Sequence, residues 1–523
     1  MAFTAGEEVD FHVAFDDEFD AINISEVKTG EEAEAEAPIK YPAKLHARKV
    51  AKELRLNHGL VCLAGEPTRL YEDSDQGPAF RQRRYFFYVT GVDFADCHVT
   101  YEIESDRLII FIPYVEPRKV LWYGRTPTAA QALQRYDADE VRYAGDMPAF
   151  FREYFSSSSS ASSSSPFRLY SSSAYSRARL LALRAEHVPS FVRDHIDDIV
   201  VDTQSLRPAM DRARVIKTPY EIAQIRRAND VSSAAHREVA RALRGLRNEQ
   251  QVEAVFRAGC TARGAHAQAY PIIAGAGENA STLHYGANDQ PLPGKELLVL
   301  DAGCEWSCYA SDVTRTLPVA GRFSPEGRAV HDLVARMQDE CIAAVAPGGS
   351  FYLLHLHAAR VAVSGLLGLG LLRGDPADIE AKGIVSAFFP HGLGHHVGLE
   401  VHDVSGEGRL MGSSVVGRKR EEVTPAGLVA LRNMSHAEAK RALLRPGMIV
   451  TVEPGIYFCR EYIEGYFLSR PEYAKHIDKD VLEGYYHVGG ARIEDDILVT
   501  EDGYENLTKA PKGQELFDLI NGE

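Results

Sequence analysis

Leu297-Leu-Val-Leu-Asp301-Ala-Gly303 ends an apolar run of strand character in a carboxylate. Eleven residues beyond that aspartate, Ala310-Ser-Asp312-Val-Thr-Arg-Thr-Leu317 repeats the arrangement. An unpaired charge at the end of a buried strand is expensive to desolvate, so each acid needs a partner. The short Gly303 to Tyr309 connection lets the two strands lie side by side, which would bring both acids to one place. Two later segments have the same character: Ile449-Val-Thr-Val-Glu453-Pro-Gly-Ile-Tyr457 and Gly490-Ala-Arg-Ile-Glu494-Asp-Asp-Ile-Leu-Val499. Taken singly, any of these acids reads as a strand cap or a salt-bridge partner. Four clustered carboxylates repel one another unless protons or cations neutralise them, and a pair of divalent cations would serve.

Between these strand pairs lies Phe388-Phe-Pro-His391-Gly-Leu-Gly-His395-His396-Val-Gly-Leu-Glu-Val-His402-Asp403, an imidazole-rich stretch on a glycine-punctuated backbone that permits close approach. One imidazole beside four carboxylates makes an oxygen-rich donor set. Such a set suits manganese or another hard divalent ion better than a thiolate zinc site.

Outward from this core the chain divides by composition. Residues 1–39 hold twelve Asp and Glu against one Lys and read as a solvated acidic tail. Residues 40–205 mix helix and strand patterns: a helix over Ala43 to Leu56, and strands at Gly59–Leu63, Tyr85–Thr90 and Arg107–Pro113. Within them, residues 156–173 are serine at twelve of 18 positions and read as a flexible surface insertion. The second domain, 206–523, opens with Lys217-Thr-Pro-Tyr-Glu221, in which Thr218 caps a helix, Pro219 takes its first position and Glu221 closes the capping box. That helix is expected to reach about Leu246, and strands follow at 296–302, 309–319, 448–458 and 487–500.

Of 523 residues, 45% are apolar, enough to bury two cores. The net charge of -16 argues against a protein built to neutralise phosphates on nucleic acid or an anionic membrane surface. Seven widely spaced cysteines make no disulfide framework and no CxxC pair; Cys304 and Cys308 read as ordinary thiols of a reducing compartment. No uninterrupted apolar stretch approaches the ~18 residues of a membrane span, and no leader pattern opens the chain. The expectation is a cytoplasmic protein.

Asp301, Asp312, His395, Glu453 and Glu494 occur in the order and context of the pita-bread metallopeptidases, and the flanks resemble the Xaa-Pro branch, aminopeptidase P and prolidase. Those flanks are His391-Gly-Leu-Gly-His395, Glu400-Val-His402-Asp403 and Arg445-Pro-Gly-Met-Ile-Val-Thr-Val-Glu453-Pro-Gly-Ile-Tyr457. Phe80-Arg-Gln-Arg-Arg-Tyr-Phe-Phe-Tyr-Val-Thr-Gly91 is similar to the prolidase-like N-terminal domain. The resemblance implies a creatinase-like α/β domain followed by an α+β pita-bread catalytic domain.

It further implies a dinuclear site, usually manganese. Asp301 with the bridging acids Asp312 and Glu494 would hold one ion, and Asp312, His395, Glu453 and Glu494 the other. A water between the ions would attack the scissile carbonyl, with Glu453 taking its proton. His284, His391 and His402 match histidines that bind substrate and stabilise the tetrahedral intermediate, and His396 matches no ligand position. Arg492 matches an arginine of the site that pairs with the metal-site carboxylates.

The implied substrates are peptides or dipeptides with proline in second position, and relatives form homodimers through surfaces that include the N-terminal domain. Within the branch, the expectation is an aminopeptidase that releases the N-terminal residue from Xaa-Pro substrates, with a strict Xaa-Pro dipeptidase as the alternative. Arg432 resembles the arginine with which prolidases hold a dipeptide's carboxylate. However, the link from Met434 to Leu444 is longer than usual, and Arg418-Lys-Arg420 reads as a solvated loop. A metal-free binding protein of the same fold would have lost ligands, and all five are present.

Overall fold

The computed structural model describes residues 40–160, 178–190, 192, 199–404, 410 and 443–522. The acidic tail, most of the serine tract, Arg418, Arg420 and Arg432 lie outside them.

The N-terminal portion is one mixed sheet flanked by helices. Helix α1 (Ala43–Leu54) leads into β1 (Leu60–Ala64), followed by α2 (Arg84–Tyr88), β2 (His98–Glu102), β3 (Arg107–Ile112), β4 (Glu140–Tyr143), α3 (Met147–Ser160), β5 (Ala178–Leu181) and β6 (Ile199–Asp202). The strands order as β4-β3-β2-β1-β5-β6. The strands β1, β2 and β3 pair antiparallel, while β4, β5 and β6 join in parallel. Helix α3 runs into the first serines of the tract, so residues 156–160 continue a helix.

Tyr85–Thr90, expected as a strand, forms α2 instead. A run of aromatic and β-branched residues suggests a strand, but here consecutive side chains Phe86, Phe87 and Tyr88 are all buried. A helix lying between two domains can bury neighbours on adjacent positions, and tertiary packing overrides strand propensity. Thr90 Oγ1 and the Gly91 amide close its last turn on the Phe86 and Phe87 carbonyls, at 2.8 and 2.7 Å.

Helix α4 (Leu206–Val215) links the domains, and α5 (Pro219–Ala242) starts as the capping box requires. Thr218 Oγ1 accepts from the Glu221 amide at 3.4 Å, and Glu221 Oε2 accepts from the Thr218 amide at 2.8 Å. The helix ends at Ala242, followed by a 3-10 turn at Leu243–Gly245. Next come α6 (Glu249–Ala262), β7 (Ile273–Ala276), β8 (Leu297–Asp301), the small hairpin β9 (Glu305–Trp306) and β10 (Tyr309–Ala310), and β11 (Thr314–Pro318). Strands β11, β8 and β7 form an antiparallel sheet.

Helices α7 (Pro325–Ala343) and α8 (Phe351–Gly368) pack on each other. Helix α8 is long and apolar enough to cross a membrane by length and composition alone. It is interrupted by His355, His357 and Arg360, and Phe351, Leu354, Ala358, Ala362 and Leu366 belong to the largest apolar core. The chain then contributes β12 (Ile449–Val452), β13 (Gly455–Tyr457), β14 (Gly490–Arg492), β15 (Asp495–Val499), β16 (Tyr504–Asn506) and α9 (Gly513–Asn521). Strands β12, β15 and β16 pair antiparallel, as do β13 and β14.

Three segments expected as continuous strands are each broken once. The breaks fall at Asp312 between β10 and β11, at Glu453 between β12 and β13, and at Glu494 between β14 and β15. Pro454, with no amide hydrogen, suits the break after Glu453.

Candidate metal centre

Register brings the acids together. Thr314 stands opposite Asp301 in the β8–β11 pair and makes an isolated bridge to Glu494. Because Val452 pairs with Asp495, Glu453 and Glu494 follow directly on facing strands. Arg315, buried, ties β11 to this second sheet by donating to the carbonyls of Glu494, Ala510 and Pro511 and to Asp495. The His395 segment is laced onto β12: the Thr451 amide donates to His395 O at 2.8 Å, and Thr451 Oγ1 accepts from the His395 amide at 3.0 Å. A Cβ on Gly394 would lie 2.1 Å from the Thr451 carbonyl oxygen, so only glycine allows this approach.

Ligand atoms of Asp312, His395 and Glu494 all lie within 4.8 Å of one another. His395 Nδ1 is 3.0 Å from the His396 carbonyl oxygen, which can only accept, so Nδ1 carries the proton. The lone pair of Nε2 then faces Asp312 Oδ2 at 3.4 Å and Glu453 Oε1 at 3.3 Å. Burial lowers the pKa of His395 and keeps the ring neutral. Three acceptors converging on one point need a positive charge or a proton between them.

Burial, then the neighbouring carboxylates, push Asp312, Glu453 and Glu494 well above the ordinary carboxylate range. Glu494 Oε2 accepts from Thr314 Oγ1 at 2.6 Å, whereas Oε1 is buried with no hydrogen-bond partner among the described residues. An orphaned buried oxygen in an oxygen-rich set with one neutral imidazole fits a hard divalent cation.

Asp301 is held from both sides, Oδ1 accepting from Tyr270 OH and Oδ2 from Arg492 Nη2, each at 2.6 Å. Arg492 Nη1 donates to Tyr457 OH at 2.9 Å, and Tyr457 OH lies 2.9 Å from His391 Nε2. Arg492 is therefore engaged with a site carboxylate and Tyr457. Burial, and then Arg492, hold the pKa of His391 down at about 3. Since His391 Nδ1 donates to the Gly392 carbonyl at 2.8 Å, its Nε2 accepts from Tyr457.

Both ring nitrogens of His391 are thus engaged. His284 and His402 are exposed, their rings 6.5 Å apart, and His402 stacks edge-on against His395 at 4.3 Å. His396 is buried beneath this loop. Behind it, Arg214 and Lys217 from the domain linker clamp buried Asp403, with Lys217 Nζ at 3.1 Å.

The sequence reading did not reach Tyr270, Thr314, Thr451 or Tyr457 as supports of the site. Thr451 carried a signal, since it lies two residues before Glu453 and so shares its strand face. Tyr270 carried none.

The chain matches the description "Metallopeptidase family M24" over residues 223–501 and "Aminopeptidase P, N-terminal domain" over residues 44–162. The chain belongs to metallopeptidase family M24, with an aminopeptidase P-type N-terminal domain before the catalytic one. It is 55% identical to a probable Xaa-Pro aminopeptidase of Colletotrichum graminicola, over 98% of this chain and 99% of that one. It is 52% identical to another of the same name from Metarhizium acridum, again over 98% and 99%. Among solved structures it is similar to aminopeptidase P from E. coli with the inhibitor Pro-Leu: 25% identity, TM-score 0.72, covering 92% of this chain and 99% of that chain.

Proposed function

We propose that this chain is an Xaa-Pro aminopeptidase that holds two divalent ions, manganese by preference, and releases the residue before a penultimate proline. The observation that carries the reading is the convergence of Asp312, Glu453 and Glu494 on the lone pair of His395, beside an Asp301 anchored by Tyr270 and Arg492. The names of the relatives support the substrate class.

In this reading Asp301, Asp312, His395, Glu453 and Glu494 hold the ions, which supply Lewis acidity for the attacking water and the scissile carbonyl. Glu453 takes the proton from that water and passes it to the prolyl nitrogen as the C–N bond breaks. His284 and His402 flank the substrate. His391, locked as an acceptor by Tyr457, shapes the wall of the site. A bond before proline has no amide hydrogen and a fixed ring, so a site shaped to the ring accepts what extended-chain proteases handle poorly. The seven free cysteines suit a reducing compartment, in this proposal the cytoplasm.

The test is purified protein loaded with Mn2+ and offered an Xaa-Pro dipeptide and an Xaa-Pro-Yaa tripeptide. Release of the first residue from the tripeptide is expected. Cleavage of the dipeptide alone would replace the aminopeptidase with a strict dipeptidase, and cleavage of neither would end the reading.

A further inference from the structure

His284 sits on an exposed loop that apolar packing does not hold: from Ser281 to Ala287 no side chain is buried. The loop is nevertheless fixed, because one carboxylate gathers it. Glu249, the first residue of α6, is 0% exposed. Its Oε1 accepts from the Ala276 amide at 2.8 Å and Asn279 Nδ2 at 3.0 Å, and its Oε2 from Tyr285 OH at 2.8 Å and the Gln290 amide at 3.0 Å.

These four donors come from the entry of the loop, its exit and the residue next to His284. The Glu249 amide adds a bond to the Gln290 carbonyl at 3.0 Å, and Tyr285 OH also accepts from Asn279 Nδ2 at 3.1 Å. One helical turn on, Glu253 Oε2 accepts from Asn288 Nδ2 at 2.9 Å, so two acids on one face of α6 grip the same loop. Burying a carboxylate is tolerable only with such a full set of donors, and the set dictates where the chain around His284 runs.

We propose that Glu249 is a positioning residue for the reaction. It aims His284 across the site toward His402, although its own carboxylate lies behind the loop. This rests on the reading of His284 as a substrate-side histidine.

Glutamine at 249 keeps the shape but turns an amide donor toward donors at Tyr285 and Gln290. In the Mn2+-loaded full chain, Glu249→Gln is expected to lower kcat/KM for an Xaa-Pro-Yaa tripeptide about 10- to 100-fold, as a displacement of about 1 Å of a substrate-side group does. In a His284→Ala background the same change should cost about threefold or less, because coupled residues do not add. In a His391→Ala background it should keep its full cost.

Hydrogen–deuterium exchange of the metal-free protein provides a readout apart from activity, with faster exchange expected over residues 277–290. If Glu249→Gln does not fold, Tyr285→Phe removes one of the four donors and runs through the same cycle. An equal penalty with and without His284, or unchanged exchange in the loop, overturns the proposal. A wild-type protein that cleaves no Xaa-Pro bond while its loop still loosens in Glu249→Gln would instead sink the functional reading and leave the anchor standing.

Discussion

Tyr457→Phe removes a single oxygen from the centre of the site. The ring is 1% exposed and phenylalanine fills the same space, so no cavity forms and the loss is that of the hydroxyl. That hydroxyl donates to His391 Nε2 and accepts from Arg492 Nη1, both at 2.9 Å. A hydrogen bond to a charged group contributes about 1.5–3 kcal/mol, and a buried acceptor left unsatisfied costs about 1–3 kcal/mol. Arg492 keeps its pairing with Asp301, which limits the sum to about 2–4 kcal/mol of stability. Thermal unfolding of the metal-free protein would read this.

Catalysis should suffer separately. His391 keeps only the Gly392 contact, and Arg492 can shift the Asp301 carboxylate that it braces. A loss of about 10- to 100-fold in kcat is expected, with KM changed less, because both groups act on the geometry of the reacting centre. Stability within about 0.5 kcal/mol of wild type together with kcat within about twofold would refute the hub role.

Two further outcomes follow from the buried charges. Chelator-treated protein should gain stability on adding Mn2+, by about 2.7 kcal/mol at a concentration 100 times the dissociation constant, and Glu494→Gln should abolish most of that gain in a thermal-shift titration. His355 sits in the core with its pKa lowered to about 4 by burial, and its Nδ1 has no partner among the described residues. Its folded pKa lies below the unfolded value of about 6.5, so it contributes stability above that pH. The contribution is lost as pH falls toward 4, about 3 kcal/mol in all. His355→Phe should flatten the dependence of urea-induced unfolding on pH between 6.5 and 4, and an unchanged slope would contradict it.

What could be read from the chain alone was whatever rests on local pattern. Four acids ending apolar runs, glycines beside His395 and the Thr218–Glu221 capping box each signal their role within a few residues, because strand alternation and helix capping are short-range physics. The aromatic run at Tyr85–Thr90 misled for the same reason: its strand-like composition is local, whereas its burial from several sides is decided by contact between domains.

Only the fold could show that Asp312, Glu453 and Glu494 stand at ladder breaks, that Tyr457 joins His391 to Arg492, and that Glu249 holds the loop of His284. These are pairings across 27 to 182 positions of sequence. Strand register and hydrogen-bond geometry select such partners, and neither leaves a periodic trace along the chain.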